Sequence, residues 1–239
     1  MYSHKEVDES DAALGEFVAD LPKISADDKA ILEENLTLQD LNKALKTCKD
    51  SAPGPDGIPY SLYLIFWNLL SMPLLRSWEY SRLIGRMSQD QRSSVITLIP
   101  KKDKDTSILN NLRPISLTNT DVKIITKAIT LKVNPILESI ISPTQAAYVP
   151  GRQITDNTFM LDTIIKLADK IDERIYILSL DAKKAFDSVD HKFMYSTLRA
   201  YGFGEEFIKT IQTIYKDLTA SVMVNAVSYT HLRAHETEA

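Results

Sequence analysis

Seven residues, Arg174 to Leu180 (RIYILSL), form a short apolar run rich in β-formers, and the run stops at Asp181. The pattern predicts a buried strand. An ionised carboxylate placed directly after such a strand is costly unless something charged meets it. Strand-end carboxylates are where divalent ions are held for phosphoryl transfer. The plainer alternative is that Asp181 caps the turn that follows. From LSLDAKKAFDSVDH alone, both readings stand.

The rest of the chain must be able to enclose that strand. With 239 residues, 44% of them hydrophobic, it is long enough to bury a core without disulfides or metals. Its one cysteine, Cys48, cannot form an internal disulfide. No run of 18 apolar residues occurs, and the start MYSHKEVDES is acidic where a signal peptide is basic and then apolar. A soluble, intracellular protein with no membrane partner is expected. The formal net charge of −4 conceals an uneven distribution. Residues 1–50 hold twelve acidic against six basic side chains, whereas residues 82–152 hold eleven basic against five acidic. A polyphosphate responds to that local positive potential rather than to the sum. The same charges also suit a solvated basic face.

Along the chain, Ser25 with Asp28 resembles a capping box. Thr37 opens a second helix with Leu38, Leu41 and Leu45 on one face. SAPGPDGIP, Ser51 to Pro59, is dense in turn formers and ends helical structure. One long apolar helix is predicted from Tyr60 to Leu83, then a strand over SVITLI from Ser94 and a charged loop, KKDKDTS. A helix from Thr120 to Ile141, bent near Pro135, and another from Gln153 to Ile171 flank the loop SPTQAAYVPGR. After Asp181 come helices over His191–Tyr201 and Glu205–Asp217, then strand-like SVMVN from Ser221. Mixed helices and strands without strict alternation predict an α+β fold. The tail from Val227 breaks the pattern and reads as foreign or frame-broken sequence. His231 and His235 stand at i,i+4, a spacing that could share a helix face. Two histidines without a third ligand make a poor zinc signal.

Five segments occur in order: SAPGPDGIP, LIPKKDK from Leu98, NNLRPISLTN from Asn110, QAAYVPGRQITDN from Gln145, and DAKKAFD from Asp181. This series resembles the reverse transcriptases of LINE-type, non-LTR retrotransposons, over about Leu21 to Asn225. The resemblance implies a right-hand polymerase fold, of which the chain would hold fingers and partial palm. Residues 1–50 would be an acidic helical connector, residues 51–226 the polymerase segment, and residues 227–239 the foreign tail.

Site residues follow from the same resemblance. Asp181 matches the first catalytic aspartate, a ligand to two Mg²⁺ ions, with the backbone carbonyl of Ala182 a further contact. Phe186 matches the aromatic steric gate that crowds a ribose 2′-OH. Arg113 matches the fingers arginine that reaches the incoming triphosphate, where a charged fork suits phosphate oxygens. Lys101, with Lys102 beside it as the alternative, matches a fingers lysine with the same task. Gly151 and Arg152 belong to the YVPGR loop near template and fingers. The implied partners are an RNA template, a DNA primer and deoxynucleoside triphosphates. Read without the family, Arg113 would pair with an acid such as Asp105, and Phe186 would sit in the core. GPDG, Pro55 to Gly57 included, would be a structural turn, Asp190 a helix cap and Asp187 local structure.

Two expected features do not occur within these 239 residues: a glycine-rich QGDPLSP-like segment and a Tyr/Phe-x-Asp-Asp hairpin. Asp181 alone cannot assemble two-metal chemistry. The 239-residue chain is therefore expected to be inactive by itself. A group II intron-type reverse transcriptase and a non-catalytic nucleic-acid-binding remnant are the alternative readings.

Overall fold

Side-chain caps set several helix starts. The computed structural model of the chain describes residues 15, 18–172, 174–182, 185–186, 188–224 and 227–233. Helix α1 spans Ala26–Glu33, and Ser25 caps it. The Asp28 N–H donates to Ser25 Oγ at 3.0 Å, and Ser25 Oγ donates to Asp28 Oδ2 at 2.7 Å. Thr37 and Asp40 form the corresponding capping box for α2, Leu38–Thr47. Leu41, Ala44 and Leu45 of α2 are buried, while Leu38 at its first turn is exposed.

Where one helix is predicted from Tyr60 to Leu83, the chain forms two. Helix α3 is Tyr60–Ile65 and α4 is Trp67–Ile84, separated at Phe66 with φ −103° and ψ 20°. No proline or glycine marks that break, so residue types alone do not reveal it. Helix α4 ends at Gly85, whose φ of 71° lies in the left-handed region, and the Arg86 N–H returns to the Ser81 carbonyl at 3.0 Å. A single turn, α5 (Gln89–Arg92), then leads into the sheet.

The sheet has four strands in the order β2-β1-β3-β4. Strand β1 (Ser93–Pro100) pairs antiparallel with β2 (Leu112–Thr118), placing Ile99 opposite Arg113. Strand β3 (Thr219–Val224) lies parallel to β1, with Ser93 opposite Thr219, and β4 (Val227–Arg233) returns antiparallel to β3. Pro114 lies on β2, an edge strand, the position where a missing N–H is tolerated. The backbone of the tail from Val227 thus takes part in the sheet. His231 lies on β4 opposite Ser221, not on a helix. His235 and Asp187 lie outside the described residues.

The predicted buried strand is not formed. Residues 174–182 carry no regular structure, and Tyr176 and Leu178 are 94% and 81% exposed. Strand propensity is realised only when a neighbour pairs the backbone and covers a face. Among the described residues, the sheet consists of β1 to β4 and none of them pairs with this run.

Two compact units divide the chain. The first holds Glu33–Leu131 and the residues from Glu205 on, hence the whole sheet, α2 to α5, and α9 (Glu205–Tyr215). Leu41, Trp78, Met87, Ile124, Ile125 and Ile208 are its most deeply buried large apolar side chains. The second holds Asp11–Leu32 and Lys132–Gly204, with α1, α7 (Ile154–Lys170) and α8 (His191–Ala200). Here the Ile24 N–H donates to the Tyr201 carbonyl at 2.9 Å, and Ile24, Ile136, Ile140, Val149 and Phe203 are buried. Helix α6 (Thr120–Ile140) begins in the first unit, continues through Pro135 and ends in the second. On α7 only Ala168 is buried, while Phe159, Leu161, Ile164 and Leu167 are exposed. Several helices and one small sheet make the α+β class expected from sequence.

Candidate nucleotide and nucleic-acid site

The two cations that the resemblance assigns to the fingers, Lys101 and Arg113, sit on the β1–β2 hairpin of the first unit. Lys101 closes the hairpin: its N–H donates to the Asn111 carbonyl and its Nζ to the Asn110 carbonyl, both at 2.8 Å. Lys102, one residue on, is exposed and makes no hydrogen bond or ion pair with a described residue. The Arg113 side chain on β2 is likewise exposed and makes none. The ion pair with Asp105 that local chemistry suggests is not made. Asp105 instead accepts from the Ser107 N–H at 2.9 Å and from Ser107 Oγ at 2.8 Å. Those two bonds, the backbone one first, hold its carboxyl below the usual range.

Beside the hairpin, the SAPGPDGIP loop is docked onto the start of α6 by residues that pattern reading passes over. Asn119, buried, accepts from the Asp56 N–H at 3.3 Å through Oδ1 and donates from Nδ2 to the Asp90 carbonyl at 3.0 Å. Thr120 Oγ1 donates to the Ile58 carbonyl at 2.7 Å, and Lys123 Nζ to the Ala52 carbonyl at 2.6 Å. GPDG is a turn, as expected: the Gly57 N–H returns to the Gly54 carbonyl at 3.0 Å. Gly54 is dictated by close approach, since a Cβ there would lie 2.2 Å from Asn119 Oδ1 and 2.4 Å from Asn119 N. The only sequence hint was the final Asn of LRPISLTN. Asp121, in the first turn of α6, accepts from Gln91 Nε2 at 2.7 Å, and burial is the main cause of its raised pKa.

The remaining predicted site residues belong to the second unit. In the YVPGR loop, Tyr148 and Gly151 both adopt positive φ, 63° and 79°. Arg152 turns its guanidinium back onto the loop. Nη2 donates to the Ile141 carbonyl at 2.9 Å, and Nη1 to the carbonyls of Gln145, at 2.9 Å, and Ser142. Its charge organises residues 141–152. Phe186 is 75% exposed and sets its ring edge-on to Tyr148, centroids 5.4 Å apart and planes at 86°. It is not a core residue. Asp181 and Ala182 are exposed on the extended segment described above. Asp190 caps α8, accepting from the Phe193 N–H at 2.8 Å, as its position predicts.

Asp181 offers one carboxylate and Ala182 one carbonyl, and no group of three or more His, Cys, Asp or Glu among the described residues converges to hold an ion. The described residues alone do not fit a two-ion centre. No described helix is long and apolar enough to cross a membrane.

A family model for reverse transcriptases, RNA-dependent DNA polymerases, matches residues 99–235. The chain belongs to that family. The match takes in Lys101, Arg113, Gly151, Arg152, Asp181 and Phe186. The chain is 36% identical over 206 residues to the transposon TX1 uncharacterized 149 kDa protein of Xenopus laevis, covering 86% of this chain and 16% of that protein. It is 30% identical over 182 residues to the retrovirus-related Pol polyprotein from type-2 retrotransposable element R2DM of Drosophila melanogaster, covering 76% of this chain and 16% of that one. A Pol polyprotein from type-1 retrotransposable element R2 of Nasonia vitripennis is 26% identical over 73% of this chain. These likenesses place the chain with the reverse transcriptases of non-LTR retrotransposons, as its motif order implied. It spans 16% of the length of each of these relatives. Divalent metal is general to the chemistry of such polymerases.

Proposed function

We propose that the chain supplies the fingers and first half of the palm of a right-hand, RNA-directed DNA polymerase acting in retrotransposition. The observation that carries this reading is the family match over residues 99–235, coupled to five motifs in the family's order. In the complete protein, the 3′-OH of a DNA primer attacks the α-phosphate of a deoxynucleoside triphosphate paired to an RNA template. A bond forms between the 3′-oxygen and the α-phosphorus, the bond to the bridging oxygen breaks, pyrophosphate leaves, and the hydroxyl proton passes to a base.

In this reading Arg113 presents a free fork to the triphosphate and Lys101 neutralises charge beside it. Lys102 is the alternative, because Lys101 Nζ would first release the Asn110 carbonyl. Phe186 excludes the 2′-OH. Gly151 and Arg152 shape the loop that meets the template. Two Mg²⁺ ions would neutralise developing phosphate charge, with Asp181 and Ala182 among their ligands. Residues 1–50 act as a connector, residues 51–226 as the polymerase segment, and residues 227–239 as sequence foreign to it. Backbone pairing of β4 is compatible with a foreign origin, since any extended segment can supply ladder hydrogen bonds. The setting is intracellular.

Primer extension on an RNA template tests the proposal, using the 239-residue chain and the same chain extended along its reading frame. Synthesis by the longer protein alone is the expected result. Inactivity of both would favour a second reading, a non-catalytic nucleic-acid-binding remnant. Names from R2 retrotransposable elements speak for this setting over a group II intron.

A further inference from the structure

Helix α4 is apolar on both sides. Leu74, Leu75 and Trp78 are buried on the side where α4 packs with α2 and α9. The opposite side carries Leu69, Met72, Tyr80 and Leu83, which are 71%, 41%, 63% and 82% exposed. At about 3.6 residues per turn, positions 69, 72, 76, 79, 80 and 83 share one arc roughly 100° wide. Exposed apolar residues scattered singly need no explanation, but a contiguous stripe of them marks an interaction surface.

The spacing says what kind of surface it is. Leu69, Met72, Arg76, Glu79 and Leu83 follow one another at steps of three, four, three and four. That alternation is the seam of paired helices, where each side chain enters a hole on the facing helix. At the middle of the seam stand Arg76 and Glu79, both exposed, and neither side chain makes a hydrogen bond or ion pair with a described residue. An apolar partner laid over them would bury each charge alone, which is costly. The seam is matched instead by a helix that offers an acid to Arg76, a base to Glu79 and apolar side chains on either flank.

A second copy of α4 has that pattern. In an antiparallel pair whose two-fold axis passes at the level between residues 77 and 78, Arg76 of each copy faces Glu79 of the other. Met72 of each then faces Leu83 of the other. Sliding the pair by one heptad sets Leu69 against Glu79 and Met72 against Arg76, which leaves both charges without partners. A parallel pair in register sets Arg76 against Arg76 and Glu79 against Glu79, which repel. The charges thus select one direction and one register. We propose that the exposed face of α4 is a self-association surface, on which two copies of this chain join through antiparallel α4 helices, with reciprocal Arg76–Glu79 ion pairs flanked by Met72–Leu83 contacts. The contact is isologous, so it closes at two copies. With 18 residues, α4 is about 27 Å long. One helix pair of that length lies at the low end of specific interfaces, on the order of 1000 Å² in total, so the dimer should form reversibly at micromolar concentration. The proposal is independent of the polymerase reading, since α4 precedes the residues 99–235 that match the family.

Sedimentation velocity of the full 239-residue chain across micromolar concentrations reads the association, and a monomer–dimer equilibrium is expected. Arg76→Glu leaves only acids at the centre of the seam, and Glu79→Arg leaves only bases. Each alone should weaken dimerisation roughly tenfold or more. An equimolar mixture of the two variants should recover a dimer of parental strength, because every acid again faces a base. The double variant Arg76→Glu/Glu79→Arg should recover it unaided. Leu83→Ser, with both charges intact, should weaken dimerisation as well. These positions are exposed, and matching circular dichroism guards against misfolding. A parent that stays monomeric, single reversals that leave dimerisation unchanged, or a mixture that fails to recover it would each overturn the proposal. A mixture much tighter than the parent would indicate parallel helices and overturn the antiparallel register.

Discussion

The Phe186 ring stands edge-on to Tyr148, with centroids 5.4 Å apart and planes at 86°. This contact joins the segment that follows Asp181 to the YVPGR loop, so two motifs separated in sequence share one aromatic pair. Both rings are otherwise open, Tyr148 82% exposed and Phe186 75%. Tyr148 thus supports whatever Phe186 does.

If Phe186 excludes a 2′-OH by bulk, Phe186→Val in the frame-extended, active protein should admit ribonucleotides with a smaller loss of deoxynucleotide use. Tyr148→Ala should have a milder effect of the same sign, since an aromatic pair contributes about 0.5–1.5 kcal/mol beyond burial, or a few-fold to about tenfold in discrimination. Ratios of ribonucleotide to deoxynucleotide incorporation measure it. Unchanged ratios in both variants would remove the gate assignment.

Asp181→Asn keeps the side-chain size and removes the charge that a divalent ion requires. Polymerisation by the extended protein should fall by orders of magnitude while its melting temperature stays near that of the parent, because Asp181 is exposed and away from regular structure. Near-normal primer extension would show that the carboxylate is not a metal ligand.

Arg113 has no carboxylate partner among the described residues, so Arg113→Ala should leave stability nearly unchanged. Loss of a charge-assisted contact costs about 1.5–3 kcal/mol, which predicts one to two decades in the nucleotide KM with primer–template binding preserved. The same assay on Lys101→Ala and Lys102→Ala separates the neighbouring lysines: whichever raises the nucleotide KM touches the phosphates. A KM unaffected by Arg113→Ala would return that side chain to surface solvation.

Arg152 should behave in the opposite way. Its guanidinium bonds the carbonyls of Ile141, Ser142 and Gln145. Arg152→Ala should therefore loosen residues 141–152 and destabilise the fold by about 1–3 kcal/mol. Faster amide exchange or proteolysis confined to that loop is the expected signature. Unaltered exchange there would mean that the bonds contribute little.

Gly54 and Gly57 separate two reasons for glycine. At Gly54 an added Cβ meets Asn119 backbone at 2.4 Å, so Gly54→Ala must displace the start of α6 and should unfold at markedly lower urea. At Gly57 nothing obstructs a Cβ and only the φ of 69° is unfavourable, so Gly57→Ala should cost about 1–2 kcal/mol. Equal urea midpoints for the two variants would contradict the close approach.

What the sequence determined alone was mostly local chemistry. Ser25, Thr37 and Asp190 start helices through hydrogen bonds to residues three positions away, so their roles are legible without a fold. Motif order likewise carries the resemblance to its family without reference to the fold. The tertiary structure decided everything that rests on a distant partner. The run RIYILSL carries every local mark of a strand and forms none, because strand structure resides in the neighbour that pairs with it. Strand β3 finds its parallel partner in β1 across more than a hundred residues, with Ser93 opposite Thr219. Asn119 explains Gly54, and Tyr148 explains the place of Phe186. Arg152 bonds the carbonyls of its own loop, partners that the YVPGR motif does not name. Helix caps close over one turn of chain and are written in adjacent residues. Sheet pairing, close approach and the partner of an exposed charge are set by which surfaces meet after the chain has folded.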